Sequence, residues 1–148
     1  MNPLNEQTKG SMNSIERIVD RKGRLLALII PSGYSAPGIQ FFTPNEFSQQ
    51  LAYMNRPSGH VIDPHVHKPV PRNVEYTLEA LFIRKGKLQV DFYDEDQTFV
   101  DKRVLQSGDV ILLVSGGHGF TMIEQTEMIE VKQGPYAGEM DKVRFKPK

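Results

Sequence analysis

The chain has 148 residues, 39% hydrophobic and 24% charged, which suits one domain with a core of its own. Eighteen Lys plus Arg balance eighteen Asp plus Glu, so no net field recommends nucleic acid or an anionic membrane as a partner. The absence of cysteine excludes disulfides, thiolate metal sites and a cysteine nucleophile, leaving nitrogen and oxygen to hold any metal. The longest apolar runs, residues 25–30 and 110–114, are strand-sized and far short of the roughly 20 residues that a membrane helix needs. No basic stretch followed by an apolar segment and cleavage site opens the chain, so a cytoplasmic location is expected. Residues 1–13 are polar and aperiodic and read as a flexible N-terminal arm or leader before a domain spanning 14–148. Residues 15–20 and 24–30 read as a hairpin around Arg21-Lys22-Gly23. Residues 38–42 form a short apolar stretch. Thr43-Pro44-Asn45-Glu46 carries a capping-box pattern with proline at the first helical position, which predicts a single helical turn. Residues 49–55 and 61–67 read as extended segments on either side of Pro57-Ser58-Gly59.

The second half alternates more regularly. Residues 77–84 place Glu79, Leu81 and Ile83 on one face, and 87–94 do the same for Leu88, Val90 and Phe92, with Lys85-Gly86 as the turn between. Strands follow at 99–106 and 110–114, the latter broken by Gly116-Gly117, and then at 120–124 and 126–133. Ten or eleven short strands at this spacing predict an all-β sandwich or barrel. The tail from Gly134 is polar, with mixed charge, and is expected to pack only partly on the barrel.

His65 and His67 sit two apart in extended sequence. Side chains two apart on a strand share a face, so both imidazoles can point at one ion. His60 has the opposite parity and reads as a loop or rim residue. The plain alternative is that each histidine is a polar strand-end residue satisfied by backbone or solvent.

These residues carry a family resemblance. Gly59, five residues, His65-x-His67, then Glu79, six residues and Gly86 resemble the first motif of the cupin superfamily. Gly108, five residues to Val114, then Gly116 and His118 echo its second motif, and the resemblance covers about residues 38–133. Eleven residues separate His67 from Glu79 where the family has three or four, His118 follows Gly116 one residue early, and Val114 replaces a proline. The insertion either loops out and rejoins in register or supplies Glu75 as a ligand in place of Glu79. Glu79 is preferred because it keeps the spacing to Gly86 and faces inward with Leu81 and Ile83. The chain is also similar to small bacterial cupins of the kind found with surface-polysaccharide biosynthesis genes.

The resemblance implies a double-stranded β-helix, or jelly-roll barrel, in a single domain. It also implies a mononuclear site of His65, His67, Glu79 and His118 for one divalent transition metal, whether Fe, Mn, Ni, Co or Zn, and a homodimer. The donor set suits any of these ions. The hairpin at 15–30, apolar along much of its length, is the expected shared edge.

Around that centre Tyr76 and Arg72, both in the insertion, and Glu130 in the last strand are candidate catalytic or positioning groups. Either Met128, Glu130 and Lys132 or Ile129 and Val131 must face inward; Lys132 is read as a surface charge and Glu130 is left open. Tyr53 and Gln50 are placed within reach of the cavity, Phe120 and Met122 on its wall, and Tyr93 outside. Three functions fit. One is a metal-dependent enzyme (dioxygenase, isomerase or lyase) acting on a small organic or sugar-like molecule. A second is a metal-free sugar-nucleotide isomerase or epimerase using His67 and Tyr76 in proton transfer. The third is a module that binds a small ligand without turnover.

Overall fold

A computed structural model describes residues 13–148, so residues 1–12 of the expected N-terminal arm lie outside it. The described residues form ten strands, joined by short turns except for the long connections before β4 and β5: β1 Glu16–Val19, β2 Leu25–Ile30, β3 Gly38–Phe41, β4 Ala52–Asn55, β5 Glu79–Lys85, β6 Lys87–Tyr93, β7 Phe99–Gln106, β8 Val110–Leu113, β9 Gly117–Met122 and β10 Glu127–Lys132. One short 3-10 turn, Gly138–Asp141, follows. No helix among the described residues is long and apolar enough to cross a membrane.

All pairing is antiparallel. A five-stranded sheet runs β1-β2-β8-β5-β10, a three-stranded sheet β7-β6-β9, and β3 with β4 forms a small two-stranded sheet. The expected all-β class holds, but these sheets do not close into a barrel. The five-stranded sheet is covered on both faces, which explains the uninterrupted apolar run Leu25–Ile30 in β2. On its inner face Ala27, Ile29, Leu81, Ile83, Ile111 and Leu113 pack against Leu88, Val90, Phe92 and Leu105 of the three-stranded sheet. On its outer face Leu28, Ile30, Ala80 and Leu112 pack under Phe42, Tyr34, Leu51 and Tyr53. Each of the Val, Leu, Ile and Phe side chains, fully withdrawn from water, contributes about 1.5–3 kcal/mol. The strand β2, read as part of a shared dimer edge, is therefore interior, and of the hairpin at 15–30 only β1 lies at an edge. There Arg103 of β7 donates to Glu16 of β1 at 2.7 Å and ties one side of the sandwich shut.

Local chemistry sets the turns. Asp20 accepts the backbone N–H groups of Lys22 and Arg24 at 2.8 and 2.9 Å and pairs with the Arg24 side chain at 2.8 Å, closing the β1–β2 turn over Gly23 at φ 78°. Between β5 and β6, Gly86 has φ 84°, and a Cβ there would overlap the carbonyl oxygen of Gln125. Asp109 accepts the N–H groups of Ser32 and Gln106, both at 2.8 Å, and so sets the entry to β8. At Pro44 a single hydrogen-bonded turn forms, closed by Phe47 N to Pro44 O at 3.1 Å, in place of the helical turn that the capping pattern predicts, because the Thr43 hydroxyl accepts from Leu51 N and donates to Gln50 instead.

Two expectations about orientation are corrected. Tyr93 is buried, 8% exposed, because a register shift between Phe92 and Tyr93 breaks the alternation, and Phe99 and Phe145 close over its ring at centroid distances of 6.0 and 5.2 Å. Tyr53 and Gln50 do not reach the inner face. Tyr53 packs edge-on against Tyr34, and Gln50 hydrogen-bonds to Thr43 and the carbonyls of Pro44 and Phe47.

Candidate functional site

The sandwich stays open where the first residues of β5 and β9 face each other, and a cleft of about 1500 Å³ occupies the gap. Glu79 opens β5 on the face that carries Leu81 and Ile83, so strand alternation turns its carboxylate inward, as expected. His118 lies in β9 directly opposite Phe92, and cross-strand partners share a face, so the imidazole also points in. The two side chains meet across the sheets: His118 Nε2 donates to Glu79 Oε2 at 3.2 Å, with the side chains 29% and 12% exposed. That hydrogen bond holds the Glu79 carboxyl below its ordinary range against the opposing effect of burial, with smaller attractions from the His118, Lys132 and Lys142 charges. The ionised form of Glu79 is therefore the favoured one.

The edge strand β10 pairs Lys132 with Glu79, Glu130 with Leu81 and Met128 with Ile83. Its charged face thus looks inward, while Ile129 and Val131, 48% and 52% exposed, look out. Lys132 nevertheless stays exposed, in line with its reading as a surface charge, and of the pair only Glu130 lines the cleft. Because the cleft leaves the inner side of β10 open to water, Lys132 and Glu130 can sit there 3.7 Å apart. Glu130, Tyr76, Glu75 and Phe120 all line the cleft. Tyr76 remains 76% exposed at its mouth, and Met122, expected on the wall, is 48% exposed farther along β9.

The other histidines lie elsewhere. The segment from Arg56 to Asn73 forms no strand and is exposed throughout. Within it the His65 and His67 rings meet edge to face, with centroids 5.3 Å apart at 75°, in a loop and not on the strand face expected of them, and His65 Nδ1 lies 3.0 Å from the Asp63 carbonyl. Neither lines the cleft; nor does Arg72, whose guanidinium donates to the Val70 carbonyl at 3.2 Å in the same loop. The structure thus joins Glu79 with His118 and His65 with His67, and keeps the two pairs apart. Among the described residues no group of three or more His, Asp or Glu side chains is gathered closely enough to hold a metal ion.

Sequence reasoning passed over two features of the rim. Arg24 pairs with Asp20 and with Glu95, and Phe145 of the tail closes over Tyr93. The Arg24–Glu95 and Tyr93–Phe145 contacts join residues far apart in the chain and carry no local signal. Comparison with protein-family models, with curated proteins and with solved structures found no match in any of the three.

Proposed function

We propose that this chain is a metal-binding protein of cupin type that acts on a small organic or sugar-like molecule at a mononuclear centre of His65, His67, Glu79 and His118. The observation that carries the reading is the 3.2 Å approach of Glu79 Oε2 to His118 Nε2 across two sheets. Metal bonds of about 2.0–2.2 Å at angles between octahedral and tetrahedral place neighbouring donor atoms about 2.9–3.5 Å apart, so the pair already stands at coordination spacing. His65 and His67, whose rings meet 5.3 Å apart in the loop before β5, would supply two further nitrogens. When bound, a divalent transition ion supplies Lewis acidity or, if redox-active, oxygen activation. In this chain Glu79 would contribute charge to the centre and His118 a neutral ring nitrogen, its shared proton passing to solvent, and Phe120 lines the same cleft. Glu130 and Lys132, paired beside Glu79, and Tyr76 at the mouth are placed to orient a polar substrate. Arg72 lies off the cleft and donates to the Val70 carbonyl of its own loop. Chelator-treated protein titrated with Zn²⁺ or Mn²⁺ is expected to take up one ion per chain. Glu79→Gln and His118→Ala should each lose it, and Glu75→Gln should keep it. Loss on Glu75→Gln with retention on Glu79→Gln would overturn the ligand set.

The same contact favours a second reading. A histidine whose Nε2 is held by a carboxylate is the arrangement of an acid/base dyad, and His118 with Glu79, rather than His67, would move the proton in a metal-free isomerase or epimerase. Turnover of a keto sugar nucleotide by metal-stripped protein, lost in His118→Ala, would select this reading over the first.

A further inference from the structure

The chain after β10 returns across the open end of the sandwich. Gln133 N still donates to the Leu78 carbonyl at 3.1 Å, so the sheet holds the chain that far. Beyond Gly134, where a Cβ would have open space around it, the tail leaves the sheet, and residues 141–145 line the cleft. The tail is tied to itself: Arg144 donates to both carboxylate oxygens of Glu139, at 2.5 and 3.3 Å, across the 3-10 turn. Its apolar side chains Met140 and Val143 stay exposed.

Two anchors hold the tail to the body, and they stand on opposite sheets. Thr77, just ahead of Glu79 and β5, donates its hydroxyl to the Asp141 carboxylate at 2.5 Å. Phe145 lies edge-on to Tyr93 at a centroid distance of 5.2 Å and rests on Gly117, the residue before His118, where a Cβ would come within 2.7 Å of its ring. On leaving the 3-10 turn the chain is extended at Lys142, with φ −144° and ψ 150°. Four extended residues reach about 13–14 Å and packed sheets stand about 10 Å apart, so the stretch from Asp141 to Phe145 is long enough to cross from one sheet to the other. The crossing runs beside Glu79 and His118, and Lys142, between the anchors, is near enough for its charge to act on Glu79. A segment held at a few points and not built into a sheet belongs to the least stable part of a fold, from which lids are drawn.

We propose that residues 138–147 form a strap that closes one mouth of the cleft over Glu79 and His118, and that ligands enter when it swings clear about Gly134. Phe145 then leaves its seat on Tyr93 and Gly117, and Asp141 leaves Thr77, while the two sheets stay packed through Leu88, Val90 and Phe92. The strap depends on its anchors and not on what Glu79 and His118 hold, so it stands apart from both the metal and the acid/base readings.

Access to His118 is measured by its rate of carbethoxylation with diethyl pyrocarbonate, read residue by residue by mass spectrometry on chelator-treated, full-length protein. His60, His65 and His67, exposed and off the cleft, are internal references. Phe145→Ala should speed labelling of His118 about two- to tenfold, the weight of one aromatic contact, and leave the references unchanged. Because the chain has no cysteine, the Thr77→Cys/Asp141→Cys variant can be bridged by a short bifunctional thiol reagent, with the same variant capped singly at each thiol as its control. The bridged protein keeps Phe145 and the core untouched, and should label His118 severalfold more slowly than the capped control. Equal His118 rates in bridged and capped protein would overturn the strap, even where Phe145→Ala fails to fold. A folded Phe145→Ala protein that labels His118 at the wild-type rate would overturn it as well.

Discussion

Replacing Phe92 with alanine tests whether the two larger sheets share one core and whether that core supports His118. The Phe92 ring is 1% exposed, lies among Leu88, Val90, Ile111 and Leu113, and stands directly opposite His118 in the β6–β9 register. Truncating a buried phenylalanine removes its transfer free energy and leaves a cavity, together costing about 3–5 kcal/mol. That is a large part of the roughly 5–15 kcal/mol that holds a typical domain. At about 2–4 °C per kcal/mol for a chain of this size, the melting temperature should fall by roughly 6–20 °C. Urea denaturation followed by circular dichroism gives the free energy, and a thermal scan checks it. Val104→Ala is the control: Val104 lies on β7 and is 54% exposed, so its replacement should cost under about 1 kcal/mol. Metal affinity should weaken in Phe92→Ala and not in Val104→Ala, because only the first loosens the strand beneath His118. Equal and small losses of stability in both variants would refute a packed interface between the sheets.

Three further outcomes follow from local geometry. Asp20 is held below its ordinary value of 3.8, first by the backbone N–H of Arg24 and then by the Arg24 side chain and the Lys22 N–H, against the opposing effect of burial. A depressed folded-state value means that its contribution is fully present above the unfolded value and is lost as pH falls through the folded one. The stability gap between wild type and Asp20→Asn should accordingly be constant above about pH 5 and shrink below pH 4 in denaturant melts, and a gap that widened on acidification would contradict the turn's electrostatics. Gly23→Ala and Gly86→Ala both force a side chain into the left-handed region at a cost of about 1–2 kcal/mol. Only Gly86 also meets the Gln125 backbone, so it should lose visibly more in the same melts; Gly23 has open space around it. Lys132→Met removes the cation beside Glu130 and Glu79, and should leave the fold intact while weakening capture of an anionic substrate more than that of a neutral one in competition binding.

The second half of the fold was readable from alternation, and the reason is physical. β5 and β6 each bury one face in a shared core, so the period-two pattern and Gly86 between them are direct imprints of packing. That pattern placed Glu79 inward with Leu81 and Ile83. It failed where packing departs from simple alternation. At Tyr93 a bulge shifts the phase, and Phe145 supplies cover from far along the chain. In β10 both faces alternate plausibly, and the charged face turns inward because the open cleft hydrates it. His118 was read as preceding its strand because Gly116-Gly117 looks like a break, but Gly116 alone makes the turn, at φ 68°, and Gly117 already belongs to β9. The segment holding His65 and His67 has the composition of a strand. A strand needs a partner, and the described residues of the same chain do not provide one.

The central claim is that Glu79 and His118 belong to a metal centre together with His65 and His67. Elemental analysis by mass spectrometry of untagged protein, purified without chelator and supplied with divalent transition metals, tests it most directly. Close to one iron, manganese, nickel, cobalt or zinc per chain, lost in both His67→Ala and His118→Ala, is the expected result. No bound transition metal after reconstitution would contradict the claim and leave the Glu79–His118 pair as an acid/base dyad.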